Sequence, residues 1–441
     1  MKKNYLMLAV AGLTMFSACS NDEDITKGME TDNSVQELVL KVASSGDGLV
    51  TRAGRPLYSS APAQNIEKVT LIIYDKANPN AIKKVTSIDT WMTASSEYTT
   101  NGHGRQHTIS FKGNDKLDAG TYSVFATGYT TTGSVYTFDP ALPSSTTGNF
   151  ATQAVITSDE AEEIFAGEIA ELTVKADKSF DLTTSGKENV LTLHRQVAGS
   201  FGYFINVPAA VDGTDAASIR LVARGKNLKA KFENFNSAFT DNTSGNIKHI
   251  VNGETSATAN AKFAATAAAS GADDAHIVYS IALSDWFTAG GAGNKLDSNG
   301  DGILNKNDTW KNTALSGYHG VKGAVFAGKF VIPFALVTGN KTMELQLLDA
   351  SGNIIKHWGV SIPSADVATG KSAPEVNDES VSIFNVVRNH MYNIGVKTSD
   401  GTTDPEDPNP GVEEPEDLSK GQDIILKVND NWEALHQLEL D

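Results

Sequence analysis

The sequence predicts an all-β protein, of the sandwich or barrel kind, that ends in one detached strand. Three observations predict this class. Short β-branched and aromatic runs recur along the chain, Gly, Asn, Asp and Ser break them at close intervals, and no helical periodicity is sustained. The chain has 441 residues, 40% of them hydrophobic, which is enough apolar material for two or three cores. Its 36 Lys and Arg stand against 53 Asp and Glu, a net charge of −17. Phosphate backbones and anionic lipid heads need a basic footprint, so nucleic acid and peripheral lipid binding are excluded as partners. The single cysteine excludes a disulfide framework and every cysteine-based metal site.

The elements follow in chain order. Met1-Lys2-Lys3 is basic, Tyr5 to Phe16 is mostly apolar, and Phe16-Ser17-Ala18-Cys19 leads into acidic Asn21-Asp22-Glu23-Asp24. The apolar run is about half the ~20 residues that a membrane-spanning helix needs, so it reads as a removable secretory signal. The small residues before the only cysteine resemble a bacterial lipobox, with cleavage before Cys19 and acylation (palmitate) of its thiol. The acidic cluster after it resembles the surface-export signal of Bacteroidetes lipoproteins.

In the body, Val69 to Tyr74, Gly120 to Ala126, Ser218 to Val222, Val325 to Phe334 and Met343 to Leu348 read as strands. The Thr- and Ala-rich stretches Thr127 to Thr147 and Thr255 to Ser270 read as long loops or a short helix. From Asp400 to Asp417, eighteen residues hold eight acids, four prolines and no basic residue, the composition of an extended solvated linker.

After the linker, Asp423 to Asp441 alternates with period two: Ile424, Leu426, Val428, Trp432, Ala434, Leu438 and Leu440 share one face with Asp430 and His436. A strand of this length would reach roughly 60 Å at ~3.3 Å per residue. No hairpin partner accompanies it, and a lone strand can neither pair its own amides nor bury its face, so it is expected to need an edge or groove elsewhere. Glu37-Leu38-Val39-Leu40-Lys41-Val42 matches Asp423-Ile424-Ile425-Leu426-Lys427-Val428 with three identities and three conservative changes. Two segments that fill one groove should look alike. Between the first copy and the body lies Thr51-Arg52-Ala53-Gly54, a basic site of the kind trypsin-like proteases cut in loops. The expectation is that Leu38, Leu40 and Val42 form a resident strand. A cut between Arg52 and Ala53 frees it, and the tail of another copy takes its place. Donor and acceptor surfaces differ, so the contact is heterologous and builds a filament.

The lipobox, the Arg52 site, Leu117-Asp118-Ala119-Gly120-Thr121-Tyr122-Ser123-Val124, Leu193-His194-Arg195-Gln196-Val197-Ala198 and Val387-Arg388-Asn389-His390-Met391-Tyr392-Asn393-Ile394 together resemble the Bacteroidetes fimbrillins, the type V pilins. The tail with Val428-Asn429-Asp430-Asn431-Trp432 resembles the stalk subunits of the minor-fimbrium type. This resemblance implies two tandem transthyretin-like β-sandwich domains plus a C-terminal donor strand, an Arg-specific processing protease, polymerisation with copies of itself and with anchor and tip subunits, and a place at the outer membrane and cell surface in adhesion and biofilm formation. The expected organisation is a signal peptide at 1–18, a propeptide at 19–52, sandwiches at 53–185 and 186–398, a linker at 399–422 and the donor strand at 423–441.

Asp297, Asn299, Asp301, the Ile303 carbonyl, Asn305 and Asp308 stand at the ligand positions of a calcium loop, with Gly302 at its turn position. A structural Ca2+ is expected there, with an ion-free Asx turn as the other reading. His103 and His107 flank glycines and read as a polar loop, and Trp432 reads as the largest anchor of the donor strand. No phosphate loop, nucleophile elbow, zinc-helix motif or dinucleotide fingerprint occurs, and no enzymatic activity is expected. The alternative function is a monomeric or accessory surface lipoprotein that binds glycan or host protein.

Overall fold

The structure is a computed structural model. It describes residues 35–42, 66–79, 81–97, 105–129, 136–138, 153–156, 161–182, 189–232, 240–241, 248–249, 253–264, 273–291, 293–311, 321–334, 343–361, 386, 388, 391–397, 413–421 and 424–429. The regular structure of the described chain is nearly all strand. The only α-helical pieces among the described residues are single turns at Trp91–Ala94 and Leu283–Trp286.

The first eleven strands are β1 (Gln36–Val42), β2 (Lys68–Asp75), β3 (Ile82–Ile88), β4 (Ser96–Glu97), β5 (Arg105–Phe111), β6 (Gly120–Tyr129), β7 (Tyr136–Phe138), β8 (Gln153–Ile156), β9 (Ile164–Val174), β10 (Val190–Arg195) and β11 (Ala198–Ile205). Eight of them make one sheet in the order β3-β2-β6-β9-β10-β1-β5-β4. One buried cluster holds Leu38 and Leu40 of β1, Ile109 and Phe111 of β5, Leu71 and Ile73 of β2, and Val124 of β6. Strands that far apart in the sheet order share a core because the sheet curls over on itself.

The uninterrupted apolar runs of β2 and β6 have a second cause. Ile72, Tyr74 and Phe125 point away from that cluster into a second one, where Phe125 stacks on Phe232 at 6.2 Å between ring centres. Both faces of these strands are therefore buried, and strict alternation gives way to continuous hydrophobicity.

The second core lies between two further sheets. In one, Ser218–Ala223 runs between Asp274–Ala282 and Met343–Leu348, and Ile354–Ser361 follows outside. In the other, β11 pairs with Val325–Val331 on one side and Met391–Ile394 on the other. Tyr203, Trp286 and Phe326 pack among them, with the rings of Trp286 and Phe326 edge-to-face at 4.4 Å.

Two sequence segments meet where the cores join. Arg195, fully buried, donates to Glu163 from Nε at 3.0 Å and Nη2 at 2.7 Å, and lies over the Phe165 ring. Arg388, 192 residues away from Gln196 in sequence, donates to its Oε1 at 2.9 Å. These are the two polar segments quoted above around 193–198 and 387–394, and burial makes each hydrogen bond obligatory.

Four expectations need correction. The boundary expected between 185 and 186 falls one strand early, because β10 still pairs with β1 and β9 and the chain crosses only at 196–197. The strand expected from Val325 to Phe334 ends at Val331, and Phe334 makes an isolated bridge to Val386. The described parts of Thr127–Thr147 and Thr255–Ser270, expected as long loops or a short helix, hold short strands (the end of β6, β7, the end of Gly253–Ser256, and Ala261–Lys262) joined by irregular chain at 257–260. Finally, the solvated linker at 399–422 is docked over its described part. Glu413–Glu414 pairs with Val396–Lys397, Glu416–Asp417 pairs in parallel with the end of β11, and Leu418 is buried. Backbone pairing is indifferent to side-chain charge, and one leucine anchors the acidic stretch to the core.

Candidate functional site

β1 is the element on which the first sheet depends. It runs antiparallel to β5, from Gln36 opposite Phe111 to Val42 opposite Arg105, and parallel to β10, from Val39 opposite Val190 to Val42 opposite Leu193. Leu38, Leu40 and Val42 have no exposed surface. Since, among the described residues, β5 and β4 reach the other strands of the sheet only through β1, its removal would split the sheet into β3-β2-β6-β9-β10 and β5-β4. Burying three such side chains contributes about 5–8 kcal/mol, and both flanking strands would be left with unpaired amides and carbonyls.

The seat of β1 also has a polar end, which the sequence reading did not single out. The Gln36 carboxamide is fully buried; its Nε2 donates to the carbonyls of Leu117 at 2.9 Å and Lys178 at 2.7 Å, and its Oε1 accepts from the Leu117 amide at 2.8 Å. Asn189 lines the same end, donating to the Glu37 carbonyl at 2.8 Å and accepting from the Val39 amide at 2.8 Å. The signal was present as a polar residue on the apolar parity of an alternating strand.

β5, the other wall, is tied to the helical turn at Trp91–Ala94. Arg105 donates to the carbonyls of Met92 and Ser95, each at 2.7 Å, and the His107 ring nitrogen donates to the Ala94 carbonyl at 2.8 Å. His107 thus holds the wall of the seat, while His103 lies outside the described residues.

The tail is not unpartnered over its first residues. Ile424–Ile425 adds in parallel to Val360 and Ser361, and Lys427–Asn429 adds antiparallel to Asn393 through Met391. Ile424 and Leu426 are buried in the second core, beside Leu418, and Trp358 Nε1 donates to the Lys420 carbonyl at 3.3 Å. The expectation of a lone strand is therefore corrected for 424–429: two sheet edges of the same chain supply short ladders. The backbone of Val428 belongs to the second ladder. Trp432, Ala434, Leu438 and Leu440, together with Cys19, Arg52 and Ala53, lie outside the described residues.

The loop at 297–308 is knit by its own oxygens. Asp297 accepts from the amides of Gly300 and Gly302, both at 2.8 Å. Asp301 accepts from the Ile303 amide at 2.9 Å and from the side-chain amides of Asn305 and Asn299, both at 3.0 Å. Asp308, largely buried, accepts from the amides of Ser298 at 2.8 Å and Asn305 at 2.9 Å. The hydrogen bond from Asn305 first, opposed by burial and aided by those from the Ile303 amide and Asn299, holds the Asp301 carboxyl below the usual carboxylate range. Gly300 and Gly302 have φ of +78° and +89°, which only glycine adopts without strain. Ile303–Leu304 then pairs with Val207–Pro208, and Leu304 enters the second core. Among the described residues no three His, Cys, Asp or Glu side chains are grouped to hold a metal; the loop's donors are all oxygens, the chemistry a hard cation requires, but its carboxylates already cap its amides.

A cavity of about 320 Å³ lies in the second half, lined by Lys226, Asn227, His276, Tyr279 and Lys329 among others. Burial holds the His276 ring below the ordinary histidine range and the Tyr279 hydroxyl above that of a free tyrosine.

No protein-family model matches the chain, and no curated protein matches it. Solved structures to which it is similar include a fimbrial assembly protein from Parabacteroides distasonis, at 10% identity over 83% of this chain and 93% of that one, with a TM-score of 0.33. The tip fimbrial protein Mfa3 from Porphyromonas gingivalis, with C-terminal truncation, matches at 10% identity over 82% of this chain and 94% of that one, with a TM-score of 0.31. The fimbrial anchor protein Mfa2 from the same organism matches at 9% identity over 82% and 90%, with a TM-score of 0.31.

Proposed function

We propose that this chain is a structural subunit of a cell-surface fimbrium, a stalk pilin exported as a lipoprotein acylated at Cys19. It is cut between Arg52 and Ala53 and polymerises by inserting its C-terminal strand into the next copy. The observation that carries the reading is the position of β1: the strand upstream of the basic site is the one that joins two parts of a sheet. A cut after Arg52 severs its covalent link to the body, and only non-covalent contacts then keep it seated. The tail carries the same alternation and the same charge order in the same chain direction, so it can restore both ladders. To do so it must leave its two short ladders in cis for a seat that pairs seven residues on the β5 side and four, Val39–Val42, on the β10 side.

The test is a heat-sensitive ladder. Precursor treated with an Arg-specific protease is run unboiled and boiled on a denaturing gel, beside Arg52→Ala and beside cleaved protein given excess synthetic peptide 421–441. The expected result is a ladder in cleaved wild type alone, lost on boiling and capped by the peptide. Cleaved wild type that stays monomeric would overturn the reading and bring forward a surface-binding lipoprotein using the cavity at Lys226 and His276. We further propose that the 297–308 loop takes a structural Ca2+, on the strength of its spacing and all-oxygen donors, and that the protein has no enzymatic role.

A further inference from the structure

An alternating strand is degenerate in register. Shifting it by two residues keeps the same parity on the buried face, so alternation alone does not say which residues of the tail fill the seat of β1, although one slip would carry Asp430 to the place of Val42 and the other Gln422 to that of Leu38. The seat, however, has one polar position, and there the requirements are strict. A carboxamide must donate to Leu117 O and Lys178 O and accept from Leu117 N at once. The match between the two segments extends one residue further than the alternation requires: Gln36-Glu37-Leu38-Val39-Leu40-Lys41-Val42 stands beside Gln422-Asp423-Ile424-Ile425-Leu426-Lys427-Val428, with glutamine at the head of each.

We infer that the cradle formed by Leu117 and Lys178 is a register lock and that Gln422 of the incoming copy takes the place of Gln36. Resting on the strand-exchange reading above, the inference fixes which residues of donor and acceptor face each other: Leu426 opposite His107, and Lys427 opposite Gln106. A two-residue slip one way brings Ile424 to the cradle, which leaves the Leu117 amide and both carbonyls unpaired in the interior. A slip the other way brings Lys420, which cannot accept from the Leu117 amide. Either slip costs buried hydrogen bonds that the apolar face cannot replace. Gln422 is thus a positioning residue: together with Asp430, which a slip would carry to the place of buried Val42, it distinguishes one register from those two residues away.

The test reads register directly, on full-length precursor carrying Cys19→Ser and cleaved by an Arg-specific protease. The pair Lys427→Cys with Gln106→Cys reports the locked register, since Lys41 faces Gln106 in β1, and Lys427→Cys with Thr108→Cys reports the slip that puts Ile424 in the cradle. Wild-type Gln422 is expected to give oxidised, heat-resistant ladders with the first pair only. Gln422→Met keeps the volume and deletes the hydrogen bonds; it is expected to keep the ladder but divide the cross-linking between the two pairs. In the uncut precursor, Gln36→Met is expected to raise amide exchange across β1 by about tenfold or more. If Gln422→Met polymerises with cross-linking confined to the first pair, the lock is overturned while strand exchange stands. If cleaved wild type forms no ladder at all, strand exchange fails and the lock falls with it.

Discussion

At the scale of single residues, the fold rests on a few side chains whose replacement has a calculable effect. Leu40 is fully buried on β1, and Leu40→Ala is expected to lower precursor stability by about 2–5 kcal/mol. Urea unfolding of the uncut protein measures it. Arg195 carries a charge with no exposed surface against Glu163, so Arg195→Ala takes the paired cation from a buried carboxylate and is expected to cost about 3–5 kcal/mol. The double variant with Glu163→Leu should recover part of that loss, which a double-mutant cycle reads. Gly167 is constrained by close approach: a Cβ there would come within 2.1 Å of the Thr192 carbonyl oxygen. Gly167→Ala is therefore expected to force β9 and β10 apart, with loss of the cooperative unfolding transition.

At the scale of elements, the two acidic segments behave unlike solvated loops. Burial pushes the Asp417 carboxyl up, but hydrogen bonds from Ser419 and Asn206 and the nearby Lys420 outweigh it and leave it below the usual range. Asp301 is depressed as well, by its bond from Asn305 first. A carboxylate whose folded value is depressed stabilises the fold above its unfolded value near ~4, and that contribution is lost as pH falls through the lower folded value. Amide exchange at 413–421 and 297–308 is therefore expected to accelerate below about pH 4 while the strands of the first core stay protected, and Asp417→Asn should flatten the dependence at 413–421. Calcium titration should raise the melting temperature of wild type and leave Asp301→Ala unmoved; equal melting curves with calcium and chelator would remove the ion from the account.

At the scale of the whole molecule, the sheet order makes β1 the bridge between two parts of a sheet, and the proposed strand exchange requires that it be replaceable. Cleaved protein stripped of β1 in denaturant and refolded alone is expected to melt well below the precursor. Added peptide 421–441 should restore the melting temperature in a concentration-dependent way, because a ligand that binds only the folded body stabilises it by mass action. Peptide that binds without raising it would place the tail outside the β1 seat.

The sequence by itself determined the strand class, the alternation of β1 and the tail, and their likeness, because period-two patterning and β-propensity are local properties of the chain. It determined the loop at 297–308 for the same reason: Asp, Asn and Gly at fixed spacing close their own hydrogen bonds. Tertiary structure alone decided that β1 lies in the middle of a sheet, between β10 and β5, because pairing partners far apart in sequence leave no local mark. It decided that β2 and β6 are buried on both faces, that Glu416–Asp417 and Ile424 dock on the second half, and that Gln36 sits in a cradle of two distant loops. Each of these turns on which surface a residue meets once the sheets have curled, a fact no stretch of sequence carries by itself.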